Sequence, residues 1–509
     1  MPAQQTVLNT EHLQADLKGK SVRGGFWTLT SQVGQFVLQS VSTVVLARLL
    51  TPADFGIVAM VTAVTSLGQA FADLGLSEAT IQHTEITHDQ VSALFWVNVA
   101  IGVGLMFVTI GLAPGLAWFY REPRLRDIGV VMSLTFLFGG LRVQHTALLK
   151  RQMRFLAIAV RDILSFAIAV PFAIILALRG AGYWAIVALP LALNFTQMAL
   201  SWVMVRWLPS LPRRGTKVRK LISFGGSVAA SYFITNVTRS ADNVLVGWYW
   251  GAHPLGLYSR AYNLLMLPVR QLNGPAGSVA VPAFSRLQND PERFARYYLR
   301  AVSLIMWIGA PVFAFLFVAA KPVIVLVLGQ KWAQAAPVFQ ILVIAALGQL
   351  LLDSSSWLLI SRGLSGRLLK LMLIVSPVMI ASFALGLPFG IKGVALCGSL
   401  VLLTMSPWIL SFTFHGTSLS LPKLVRAICY PILLSIIAAL LAEGTLHSLH
   451  PQHTIPQLVM TAMAFAVSYL LSLAVPAIRN ELLSFRTLLK RSQIISLPIA
   501  AEDLEAVAL

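Results

Sequence analysis

"RGGFWTLTSQVGQFVLQSVSTVVLARLLTPADFGIVAM" (residues 23–60) and "SFGGSVAASYFITNVTRSADNVLVGWYWGAHPLGLYSR" (residues 223–260) lie about 200 positions apart and follow one plan. Each has a Gly-Gly pair near its start, one long apolar stretch and a turn containing proline. Phe-Gly-Ile or Leu-Gly-Leu then opens the next stretch. Six apolar segments separate the two starts. An even number of crossings brings the chain back to the side it left, so the halves are parallel repeats about an axis along the membrane normal.

The membrane itself follows from composition. Of 509 residues, 57% are hydrophobic and only 11% are charged, against about 25% charged in soluble chains. Residues 1 to 20 are polar and the first apolar run has full membrane length, which is not the layout of a cleaved signal peptide. Working outward from the repeats, fourteen segments reach the roughly 20 residues that a helical crossing needs, from 24–49 to 456–476. The expected fold is all-α. It has about 14 transmembrane helices, as two six-helix bundles related by a pseudo-two-fold axis along the membrane normal plus two extra C-terminal helices. The expected divisions are a cytoplasmic tail (1–23), the first bundle (24–206), a basic linker (207–220), the second bundle (221–413), two added helices (424–476) and a tail (477–509). In that tail Ile478, Leu482, Phe485 and Leu489 oppose Arg479, Arg486 and Lys490, the pattern of an interfacial amphipathic helix.

The net charge of +19 is spread between apolar runs rather than gathered in one domain, so the expected partner is the anionic membrane surface and not nucleic acid. With the N-terminus inside, Lys and Arg in the connections favour the cytoplasmic side roughly three to one, and the C-terminus is inside too. The loop 77–90 has neither residue type and does not contribute. Cys397 and Cys429 lie in or beside apolar helices, so no disulfide framework or CxxC site is expected. His447, His450 and His453 share an outside turn, but Pro451 interrupts the helix that would align them on a metal. No phosphate-binding loop of the GxxxxGK[ST] type occurs, so nucleotide hydrolysis in this chain is not expected.

The segments "ARLLTPADFGIVAM" (47–60) and "LGLYSRAYNLLMLPVRQL" (255–272), set in fourteen helices, resemble the Wzx-type polysaccharide flippases, in particular the branch similar to colanic acid and succinoglycan exporters. These share a superfamily with the MATE multidrug exporters and the peptidoglycan lipid flippase. The resemblance implies a cavity between two bundles, alternating access and undecaprenyl-diphosphate-linked oligosaccharide as cargo. It also implies a bacterial inner membrane, and a polysaccharide polymerase and export machinery as partners. It implies no bound cofactor, and energy from a proton or sodium gradient.

The residues point to a polar cavity independently. Gln32, Gln35, Gln39 and Ser42 recur at helical spacing in the first repeat, and Tyr232, Asn236, Arg239 and Asn243 in its mate. The following helices carry Thr62, Thr65, Gln69 and Asp73 in one half and Arg260, Asn263 and Arg270 in the other. Lipid tails satisfy none of these groups, so the four stripes need a common hydrated or protein-lined space. Arg239, Arg260 and Arg270, with Asn236, Asn263, Gln35 and Gln39, are the candidate substrate-binding residues, because a guanidinium offers forked donors that match phosphate oxygens. Asp73, Asp242 and Asp353 are candidates for ion coupling.

Each has a structural alternative. Arg239 and Asp242 are three apart and could form a local ion pair, while Arg260 could snorkel to the outer interface. Asp353 could serve helix packing. For Arg142 and the Arg161, Asp162 pair, snorkelling or local pairing is favoured over binding. Two functional alternatives stand beside the flippase. A membrane polymerase or glycosyltransferase would need a sizeable outside loop, and a MATE-like drug exporter would need an acidic, aromatic pocket for cations.

Overall fold

The computed structural model describes residues 17–69, 71, 75–82, 86–211, 236–449 and 454–472, and among them there is no strand. The helices are α1 (Leu17–Leu49), α2 (Pro52–Gln69), the short α3 (Leu76–Gln82), α4 (His88–Tyr120), α5 (Arg124–Arg151), α6 (Phe155–Leu178) and α7 (Tyr183–Val205). Helical residues 236–250, here α8, lead to α9 (Ala252–Arg286), α10 (Pro291–Val318), the short α11 (Ala320–Leu328) and α12 (Ala336–Ser361). The last are α13 (Ser365–Gly386), α14 (Gly390–Phe414), α15 (Leu421–Leu449) and α16 (Thr454–Ser472). Setting aside α3 and α11, the long helices correspond one to one with the fourteen expected crossings. Eight stretches are long and apolar enough to cross a membrane by themselves. Those that fail that test include α1, α2 and α9, three helices that carry polar stripes.

The helices group into two compact units. The first comprises Met1–Leu264, Ile324–Leu342 and Gly366–Val401. Its α4 packs on α5, α6 on α7, and α1 on α6. At one end of this unit Phe95, Leu148, Leu149, Val205 and Trp207 form a core with Leu76 of α3. Here the loop without Lys or Arg finds its account. Arg151, at the end of α5, donates to the Thr80 carbonyl at 3.0 Å, and the Thr80 hydroxyl donates to Gln144 at 2.8 Å. The loop is held by a cation from a neighbouring connection.

At the other end of the first unit, Thr51 and Asp54 cap α2 reciprocally: Asp54 accepts from the Thr51 amide at 2.9 Å and the Asp54 amide donates to the Thr51 hydroxyl at 3.3 Å. Pro52 supplies the first helical residue, where its missing N–H is no loss. The carbonyls left over at the end of α1 are taken up by a 3-10 turn, Gln330–Ala335. Trp332 Nε1 donates to the Ala47 carbonyl at 2.9 Å, and Lys331 Nζ to the Leu50 carbonyl at 3.3 Å. Arg48 in turn donates to the Leu326 carbonyl at 2.5 Å.

The two repeats meet at this same end. A methyl group on Gly56 would overlap the carbonyl of Ala252, and one on Gly256 would overlap the carbonyl of Pro52. Positions 52 and 252, and 56 and 256, are repeat mates, so the contact is reciprocal about the pseudo-two-fold axis. Glycine is required twice, once from each half, because only a hydrogen fits between the crossing backbones. Both units are not needed for this clasp; all four residues belong to the first.

The second unit comprises Leu265–Val323, Val343–Ser365 and Leu402–Leu509. In it α15 and α16 pack together and against α10 through Val318, Ala438, Ala442 and Phe465. The far face of α15 exposes Leu433, Ile436, Ile437, Leu440 and Leu441, the surface a lipid-facing helix presents. The expected tail helix at 477–509 lies outside the described residues, as do Asp73, Tyr232, His450, His453 and most of the basic linker.

Candidate functional site

Helix α1 is exposed on two sides. Phe26, Leu29, Val33, Val37 and Val41 form one exposed stripe. Thr28, Gln32 and Gln39, with the half-buried Gln35, form another. At 3.6 residues per turn the two stripes point about 150° apart. A helix with hydrocarbon-compatible residues on one exposed face and amides on the opposite one separates lipid from a hydrated lumen. Within the amide stripe Gln35 Nε2 donates to Ser31 at 2.8 Å, and Gln39 stands exposed.

Helix α9 repeats the pattern. Gly256, Arg260, Asn263, Arg270, Gly274 and Ser278 fall on one face, and from Asn263 onward the polar members of this series are exposed. Gly256 is part of the clasp, so the clasp stands at one end of the polar stripe. Four residues on, the Arg260 guanidinium carbon lies 3.9 Å from the centre of the Phe55 ring. Arg260 does not snorkel: its charge rests on an aromatic face of the other repeat. Such a contact is worth about 2 kcal/mol when desolvated, and an arginine at membrane depth costs about 2.5–3.5 kcal/mol on insertion scales. The ring therefore offsets most of that penalty, and no carboxylate among the described residues takes up the five N–H donors.

The ion-pair alternative for Arg239 is not realised. Asp242 is 4% exposed and turns inward, accepting from the Tyr258 hydroxyl at 3.0 Å and from the Asn243 amide at 2.7 Å. Arg239 is exposed on the surface of α8. A separation of three residues places side chains about 60° apart around a helix, and here that angle divides a buried position from an open one. The apolar segment keeps both charges because they serve different surroundings. Asn236 is half-buried beside Arg239 on the same helix, and α8 is joined to α2 by the Ser66 and Ser240 hydroxyls at 3.1 Å.

In the second unit Arg270 is exposed on α9. Asp353 of α12 accepts from Gln349 Nε2 at 2.7 Å and from Asn273 Nδ2 of α9. Two neutral side chains donate to this carboxylate, while the Asn273 side-chain oxygen is buried with no hydrogen-bond partner among the described residues. The neighbouring Ser354 is bonded to the Tyr298 hydroxyl at 2.7 Å. The three-serine run thus contributes one packing contact beside the acid.

Two participants escape sequence reasoning. Phe55 is visible in the "PADFG" motif, but nothing in its spacing announces a partner 205 positions on in the chain. Tyr258 is the repeat mate of Val58, so the hydroxyl that holds Asp242 has no counterpart in the first half to draw attention to it.

Comparison with known proteins gives this geometry its relatives. The family described as "Polysaccharide biosynthesis protein" matches residues 45–337. The teichuronic acid biosynthesis protein TuaB of Bacillus subtilis is 25% identical over 90% of this chain and 97% of its own length. The lipopolysaccharide biosynthesis protein WzxC of Escherichia coli is 24% identical over 65% of this chain and 68% of its own. Among solved structures, the lipid II flippase MurJ in an inward closed conformation superposes with a TM-score of 0.71, at 12% identity, over 89% of this chain and 98% of MurJ. An inward-facing MATE-family transporter of the MOP superfamily superposes with a TM-score of 0.54, at 13% identity, over 75% and 96%. At such identities these two likenesses establish the fold. The chain is a multi-pass membrane protein with the MOP-superfamily fold, and it belongs to the polysaccharide biosynthesis protein family.

Proposed function

We propose that this chain is a flippase that carries undecaprenyl-diphosphate-linked oligosaccharide repeat units from the cytoplasmic to the periplasmic leaflet of a bacterial inner membrane by alternating access. The observation that carries this reading is the pair of exposed polar stripes on α1 and α9, with no carboxylate among the described residues bonded to Arg239, Arg260 or Arg270. A lipid diphosphate brings at least two negative charges into a low-dielectric space, where unpaired guanidinium groups at several depths bind it without trapping it. An aqueous face of this kind, running along helices otherwise set in lipid, suits a headgroup that must cross while its tail stays in the bilayer. The family membership and the names of TuaB and WzxC support polysaccharide precursors as cargo. The decisive experiment is deletion of the gene in its host: lipid-linked repeat units should accumulate in the inner leaflet. Undiminished polymer with no accumulation would exclude the assignment.

A transporter is favoured over an enzyme because the connections between α4 and α5 and between α6 and α7 are only a few residues long and offer no room for a catalytic domain. A drug exporter would favour acidic groups in the lumen, whereas the exposed charges on α8 and α9 are arginines. Both termini and the basic linker lie in the cytoplasm in this proposal. Gly215→Cys should react with a membrane-impermeant thiol reagent only after the cells are opened, and labelling in intact cells would reverse the orientation.

Transport is coupled to a proton or sodium gradient through the acids, with Asp242 and Asp353 the described candidates and Asp73 the third. Among the described residues Asp242 is held by a tyrosine and a backbone amide and by no arginine. Asp242→Asn is expected to flatten the dependence of export on the ion gradient. Export by this variant and by Asp353→Asn with an unchanged gradient dependence would remove both residues from the coupling.

A further inference from the structure

Away from the stripes, the first unit holds a second charged cluster, on α5, α6 and α7. Arg161 is fully engaged: Nε and one terminal nitrogen donate to Asp162 Oδ1 at 2.9 and 2.8 Å, and the other donates to the Thr146 and Ser201 hydroxyls at 2.7 and 3.2 Å. Local pairing, the alternative favoured from sequence, thus accounts for Arg161. It does not account for its neighbours. Asp162 Oδ1 also receives Gln197 Nε2 at 3.4 Å, but Oδ2 accepts from no described residue, and the side chain keeps 16% of its surface open. Arg142, half-buried and within electrostatic range of both Arg161 and Asp162, donates to no described residue.

The unused groups form a mixed set. Arg142 offers five N–H donors, Asp162 one charged acceptor, and Gln197 a remaining donor and a carbonyl. A phosphate only accepts, and it would meet the Asp162 charge. A sugar hydroxyl both donates and accepts, so neighbouring hydroxyls on one ring can bridge a guanidinium and a carboxylate at once. An aromatic pair begins one turn along α5. Phe138 is one turn from Arg142 on α5, and its ring meets that of Phe195 on α7 with centroids 5.5 Å apart, Phe195 being 50% exposed. Aromatic faces beside directional polar groups suit the C–H faces and hydroxyl edges of a pyranose.

We propose that Arg142, Asp162 and Gln197, with Phe138 one turn from Arg142, form a saccharide subsite that binds the glycan of the cargo while its diphosphate is held elsewhere. This rests on the flippase reading and adds where the sugar is recognised. Arg161 is a positioning residue that fixes Asp162.

The test uses the full-length protein in detergent, with native mass spectrometry reading the affinity for two probes. One is undecaprenyl diphosphate. The other is the undecaprenyl-diphosphate-linked oligosaccharide pool extracted from the host membrane. Arg142→Gln and Asp162→Asn should each weaken the glycosylated probe about tenfold and leave undecaprenyl diphosphate unchanged. Gln197→Ala, which removes only a long hydrogen bond, should shift the same probe in the same direction with the thermal midpoint preserved. Equal weakening of both probes by the three variants, or no change in either, would overturn the subsite. Wild-type protein that binds neither probe would overturn the flippase reading itself, and the subsite with it.

Discussion

Arg260→Ala should abolish complementation of a flippase-deficient strain while the protein remains inserted and folded. The guanidinium lies on the Phe55 ring, and no carboxylate among the described residues pairs with it. Its removal therefore leaves no orphaned acid behind, and a structural collapse is not expected. What is lost is a cation on the polar face of α9, close to the point where the two repeats cross. Arg260→Lys should restore export only in part, because an ammonium keeps the charge and some attraction to the ring but cannot present two parallel donors to a phosphate. Arg270→Ala should fail in the same assay, from a position ten residues further along the helix, about 15 Å away. Export and expression are measured in parallel. Normal export by Arg239→Ala, Arg260→Ala and Arg270→Ala alike would assign the diphosphate to other groups.

Gly56→Ala should lower stability and export together, and Gly56→Leu should eliminate export. Replacing glycine by alanine within a helix ordinarily stabilises it by about 0.5–1 kcal/mol, because the unfolded chain loses freedom. At Gly56 the added methyl would overlap the Ala252 carbonyl, and overpacking of this kind costs about 1–3 kcal/mol. The two effects have opposite signs, so thermal unfolding in detergent decides between them. A fall in midpoint places the crossing backbones in contact in the resting protein; a rise would mean that the helices stand apart there. Gly256→Ala meets the Pro52 carbonyl in the mirror arrangement and should behave alike. A cysteine introduced at Ala53 should become more reactive to an outside reagent in the Gly56→Leu background.

The helices and their repeat were legible because each depends on a one-dimensional property of the chain. Apolar length marks a crossing, and the Gly-Gly, proline and Phe-Gly-Ile series marks a second copy. The clasp was half legible, since both glycines stand in the quoted motifs, but only the fold brings each of them to the other's neighbour. Asp242 shows where sequence spacing fails. Its distance of three from Arg239 is compatible with pairing, yet the helix leaves one exposed and turns the other to Tyr258, sixteen positions on and in another helix. The loop 77–90 shows the converse: it contains no cation of its own, and Arg151 at the end of α5 donates to its Thr80 carbonyl. Lys331 and Arg48, which count as outside charges in the sequence, spend their hydrogen bonds on helix-end carbonyls.

The crossing of Gly56 and Gly256 is made by uncharged backbone, but Arg260 stands one turn beyond Gly256, on the ring of Phe55. A movement of the two helices that took Arg260 with it would carry that charge through the transmembrane field, in which each elementary charge is worth about 2.3 kcal/mol per 100 mV. The glycine contact itself offers neither potential nor salt a handle, so an electrical signature of such a movement would report the guanidinium and not the glycines.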